Sequence, residues 1–101
     1  MNGLALLDRR AIPRACEAHG VERLRVFGSV LADDFDPDTS DVDFLVDFRS
    51  DRADRFDDYF GLRDALVEIV GREVDLVVAT AVRNPYFRAS AFSSARDVSA
   101  A

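Results

Sequence analysis

The sequence contains no lysine. All thirteen basic residues are arginine, which excludes mechanisms that need a lysine nucleophile or the lysine of a phosphate-binding P-loop. There is one cysteine, Cys16. That excludes an internal disulfide and any metal site built from clustered cysteines, and a cytoplasmic location is the default expectation. No apolar run approaches the roughly 18 to 20 residues of a membrane-spanning helix. No basic residue precedes the short apolar run Leu4-Ala5-Leu6-Leu7, so a secretory signal is not expected either. Positive charge is in deficit: thirteen arginines stand against nineteen acids, for a net charge of −6. Phosphate contacts dominate affinity for long nucleic acid, so an acidic chain is a poor binder of it.

What is present fits a single globular domain over residues 1–101. The chain is 49% apolar and 32% charged, ordinary for a soluble domain and too apolar for a disordered one. It has no internal repeat. A first helix is predicted from about Asp8 to His19, with Ile12, Ala15, Cys16 and His19 on one stripe and Asp8 as a cap. Pro13 moves its regular part to start near Ala11 or Ile12, and Gly20 stops it. Leu24-Arg25-Val26-Phe27 reads as a short strand ending in Gly28-Ser29, and Val30-Leu31-Ala32 as the opening of a short helix. Asp33 to Ser40 reads as an acidic loop. In Val42-Asp43-Phe44-Leu45-Val46-Asp47-Phe48, strict alternation puts Val42, Phe44, Val46 and Phe48 on one face of a strand.

After the charged loop Arg49 to Arg55, a second helix is predicted from Phe56 to Val70. Tyr59, Leu62, Leu66, Ile69 and Val70 form its inner side, and Gly71 ends it. Phe56, Tyr59 and Phe60 are expected in the core. Glu73 to Val78 reads as a third strand. Asn84-Pro85 starts a last helix that runs to about Arg96. Helices alternating with strands favour an α+β fold, one small mixed β-sheet covered by helices. His19, the only histidine, is expected to serve packing or a helix end, and Cys16 to be a small core residue.

Three carboxylates stand apart from the other sixteen. Asp41 and Asp43 open a strand two residues apart, with their Cα atoms roughly 6 to 7 Å apart on one face. Asp75 lies between the core-facing Val74 and Leu76, and joins the pair if the two strands are neighbours. Three crowded carboxylates repel one another and call for a cation. Hard oxygen ligands select magnesium or a similar ion, and two such ions about 4 Å apart can activate one oxygen and stabilise another. Gly28-Ser29, at a strand end and leading into a helix, suits a phosphate. A phosphate cradle beside a carboxylate-held metal points to transfer of a nucleotidyl or phosphoryl group. Singly, each feature has a plainer explanation: a turn, a solvated acid pair, a surface aspartate. Order and spacing make the case.

Gly28-Ser29-Val30 followed by Asp41-Val42-Asp43 and Phe44-Leu45-Val46 resembles the signature of the minimal nucleotidyltransferases of the DNA polymerase β-like superfamily. Eleven residues separate Ser29 from Asp41, one more than in the usual form. Phe35 to Ser40 is similar to the family's loop before the strand, Val74-Asp75-Leu76-Val77 to its third-carboxylate strand, and Asn84-Pro85-Tyr86-Phe87-Arg88 to a segment of its small stand-alone members. The resemblance runs from about Asp8 to Arg96. It implies a polymerase β-like nucleotidyltransferase core and an antitoxin paired with a HEPN-domain ribonuclease toxin, neutralised by transfer of AMP from ATP to a toxin tyrosine. Asp41 and Asp43 would then hold Mg²⁺ and the triphosphate, with Asp75 as the third metal-binding and catalytic carboxylate. Gly28 and Ser29 would hold the phosphates, with Ser40 a further nucleotide contact. With room for the catalytic domain and little else, the acceptor would bring its own binding surface, in a hetero-oligomer. Where many members carry an arginine-glycine pair soon after Gly-Ser, this chain has Ala32-Asp33-Asp34. Two acids there would weaken triphosphate binding, which favours an alternative: a module of the same fold that neutralises a toxin by contact alone. A metal-dependent phosphohydrolase with no partner has only the carboxylates in its support.

Overall fold

The structure is a computed structural model that describes residues 7–31, 41–51 and 53–100. Asp33 to Ser40, together with Ala32 and Arg52, lies outside the described residues. Helix α1 spans Ala11–Ala18. Asp8 prepares it: one carboxylate oxygen accepts from the backbone N–H groups of Arg10 and Ala11 at 2.8 and 3.0 Å. These donors hold the Asp8 carboxyl below its ordinary pKa. Pro13 falls in the first turn, where its missing N–H breaks no helical bond. Gly20, at φ 66°, ends the helix in the left-handed region that glycine enters at little cost.

Strand β1 covers Val21–Phe27, three residues more than the sequence pattern indicates. A register irregularity between Val21 and Arg23 leaves both Glu22 and Arg23 exposed, which breaks the alternation that marks a strand. A short 3₁₀ turn, Gly28–Leu31, follows. Strand β2 is Val42–Phe48, as the alternation predicts. Helix α2 is Arg55–Val70; Asp54 caps it by accepting from Asp57 N–H at 3.0 Å, and Gly71 closes it in a left-handed conformation. Strand β3 is Val74–Val78, and helix α3 is Pro85–Ser94. The Asn84 side chain accepts from the N–H groups of Tyr86 and Phe87 at the start of α3.

The C-terminal expectation is corrected. The last helix stops at Ser94, and Arg96–Ala100 forms a fourth strand, β4, antiparallel to β1. The Arg23–Asp97 ion pair, 2.6 Å at its shorter contact, ties the two strands. The sheet order is β3-β2-β1-β4. Strand β1 runs antiparallel to both its neighbours, while β2 and β3 are parallel and joined through α2. This is the expected mixed sheet with helices.

One face of the sheet holds the main core: Leu24, Val26, Val42, Phe44 and Val46 pack with Ile12, Ala15 and Cys16 of α1 and Leu62 and Leu66 of α2. The expected packing role of His19 holds. Its ring lies so close to Gly61 that a Cβ there would sit 2.5 Å from it. Phe56 and Phe60 are not core residues: they are 72% and 45% exposed and touch each other at 4.6 Å between ring centres. Tyr59 is half-buried, and its hydroxyl donates to the Leu76 carbonyl at 2.7 Å, tying α2 to β3. The opposite sheet face carries a smaller cluster of Phe27, Leu45, Ala79 and Ala91. Among the described residues no helix is long and apolar enough to cross a membrane.

Candidate functional site

The period of β2 that sends Val42, Phe44 and Val46 into the main core sends Asp43, Leu45 and Asp47 to the other face. The parallel register sets Asp43 directly beside Asp75 of β3. The antiparallel register sets Phe27 of β1 on its other side. Residues paired across neighbouring strands point to the same face, so Asp43 and Asp75 are side by side there. Asp41 precedes the strand and is exposed, as is Asp75, while Asp43 is half-buried.

Gly28 completes this corner. It follows Phe27 at φ +73°, and a Cβ on it would lie 2.5 Å from Asp43 Oδ2. No other residue type brings the backbone this close to the carboxylate without strain. Ser29 continues the same turn. Ser40 and the Ala32-Asp33-Asp34 segment lie outside the described residues.

The electrostatics follow from this crowding. Burial, the charge of Asp75 and then the charge of Asp41 push the Asp43 carboxyl up to about 6. Desolvation and like charge both disfavour the ionised form, and a divalent cation would relieve both. The donor set therefore fits a hard metal ion: three carboxylates, one disfavoured as an anion in the absence of positive charge. Among the described residues, however, no three such side chains already stand together as a metal cage.

A model of the nucleotidyltransferase domain family matches residues 9–98. The chain belongs to that family. This nucleotidyltransferase is 34% identical over 74 residues, 73% of its length and 72% of the relative's, to MJ0128 of Methanocaldococcus jannaschii, named as a candidate protein adenylyltransferase. A solved minimal nucleotidyltransferase, itself so named as a candidate, is 32% identical, covers 95% of each chain and gives a TM-score of 0.71. The complex of a tri-AMPylated Shewanella oneidensis HEPN toxin with its MNT antitoxin gives a TM-score of 0.61 at 17% identity, over 92% of this chain and 70% of that one. At that identity the likeness is one of fold.

Two sets of contacts in the nucleotidyltransferase's site region had no local sequence signal. Arg25 is buried on the same face, 3.3 Å from Asp47 and 4.9 Å above the Phe92 ring, and so links β1, β2 and α3. Phe87 meets Phe27 edge to face at 5.8 Å. Both contacts join residues far apart in the chain, which local periodicity does not register.

Proposed function

We propose that this nucleotidyltransferase is a Mg²⁺-dependent antitoxin enzyme that transfers AMP from ATP to a hydroxyl of a partner HEPN-type toxin. The supporting observation is the corner itself: Asp43 beside Asp75 in the β2–β3 register, with the glycine backbone of residue 28 against Asp43. In this reading Asp41 and Asp43 hold the metal and the triphosphate, and Asp75 completes the ligand set. The bound Mg²⁺ would supply Lewis acidity and neutralise phosphate charge. Gly28 and Ser29 offer backbone N–H groups to phosphate oxygens, and Ser40, outside the described residues, would be a further nucleotide contact. Asp75 takes the proton of the acceptor hydroxyl. The hydroxyl oxygen forms a bond to the α-phosphorus, the bond from that phosphorus to the α–β bridging oxygen breaks, and pyrophosphate leaves. The net charge of −6 favours a basic partner.

One observation favours a second reading. Ala32-Asp33-Asp34 stands where the family resemblance implies an arginine-glycine pair, and acids there would weaken a triphosphate site. A protein of this fold acting by contact alone would tolerate them. The protein encoded beside this one, incubated with the chain, Mg²⁺ and α-labelled ATP, separates the two readings. Label on the neighbour, absent with Asp41→Asn or Asp43→Asn, is the expected result. Full neutralisation by those variants without label would overturn the enzyme in favour of the contact module.

A further inference from the structure

We propose that the ring of Phe87 is the stacking platform for the nucleobase of the bound nucleoside triphosphate; this rests on the proposed ATP site and extends it. Phe87 lies in the first turn of α3, where its N–H is fixed by the Asn84 side chain at 3.1 Å. Its ring packs edge to face on Phe27, with centres 5.8 Å apart and planes at 83°. Phe27 is in turn the cross-strand neighbour of Asp43 and the residue before Gly28. A chain of contacts therefore runs from the phosphate turn and the half-buried carboxylate to Phe87 on one sheet face. Phe27 is buried, yet Phe87 keeps 42% of its surface exposed. Of the other exposed aromatic residues, Tyr86 is 86% exposed with no ring packed against it among the described residues, and Phe56 and Phe60 are on α2, which packs on the opposite face.

An aromatic ring held by its neighbour and part-open to solvent offers what a base needs, because every base has a π-face. Phosphates at the Gly28 turn and a base on Phe87 would place the sugar and α-phosphate between them, beside Asp43 and Asp75. The platform supplies affinity through the base alone, so it is invisible to a ligand without one.

Titration of Mg-ATP and of Mg-tripolyphosphate into the wild type, Phe87→Leu and Phe87→Tyr tests this, with thermal unfolding of each variant alongside. Leucine keeps an apolar contact with Phe27, and tyrosine keeps the ring. The expected result is a loss of ATP affinity of at least about fivefold in Phe87→Leu, unchanged tripolyphosphate affinity, and ATP affinity retained in Phe87→Tyr. ATP affinity unchanged in Phe87→Leu, or equal losses for both ligands, would overturn the platform and leave the ATP site standing. A wild type that binds neither ligand would overturn the ATP site and the platform with it.

Discussion

The two faces of the sheet in this nucleotidyltransferase divide the work of the molecule. On one, Val42, Phe44 and Val46 are fully buried against α1 and α2. On the other, the interleaved Asp43 and Asp47 share β2 with a single fully buried apolar residue, Leu45. One seven-residue strand thus carries the stability of the domain on its even residues and a charged corner on its odd ones. Alternation puts both on rigid backbone, so a repelling carboxylate is held in place by the apolar residues on either side of it. The faces differ in the sign of what substitution does: removal of side chains weakens the first, whereas removal of the Asp43 charge strengthens the second, where Asp47 by contrast is paired with Arg25.

The contrast can be broken most forcefully from the apolar side. Phe44→Ala should destabilise the domain by about 3–5 kcal/mol, a large part of the 5–15 kcal/mol typical of a small domain. Chemical denaturation measures this. Gly28→Ala comes next. Its methyl group meets the Asp43 carboxylate, and its φ of +73° suits only glycine, so a loss of about 1–3 kcal/mol is expected, with loss of Mg-ATP binding in a calorimetric titration. A change confined to function is expected at Asp75→Asn, which should retain much of the Mg-ATP affinity and lose transfer, whereas Asp41→Asn should lose both. Normal transfer by Asp75→Asn would mean that another group takes the acceptor proton. The smallest effect is expected at Phe56→Ser, within about 0.5 kcal/mol of the wild type, because the ring is exposed; a larger loss on thermal unfolding would return Phe56 to the core.

Much of this division is legible in the residues themselves. The alternation of Val42 to Phe48 yields the strand, its faces and the position of Asp43 in one step. Gly71 and Asn84 mark helix ends because their chemistry is local. Strand β4 was not legible, since Arg96-Asp97-Val98 has no apolar alternation and is held by pairing with β1 and by Arg23. Helical periodicity misplaced Phe56 and Phe60 because an aromatic residue near a helix start is apolar whether or not anything covers it. Within the corner, the sequence indicates which acids share a face if β2 and β3 are neighbours. It does not indicate that Gly28 presses on Asp43, a contact set by the antiparallel β1–β2 register.

The most direct test is the stability of the wild type and Asp43→Asn, each with and without Mg-ATP, across pH. The Asp43 carboxyl is at about 6, above the ordinary 3.8 of an aspartate. Its protonated form is therefore favoured by folding. That contribution is present below the unfolded value and is lost as pH rises from about 4 through about 6. The half-exposed side chain is screened by solvent, so Asp43→Asn should be more stable than the wild type by about 1 kcal/mol at pH 7, an advantage that fades toward pH 4. Saturating Mg-ATP should reverse the order, raising the melting temperature of the wild type and leaving the variant where it was. Equal stabilisation of both proteins by Mg-ATP would contradict the assignment of this face as the metal–nucleotide site.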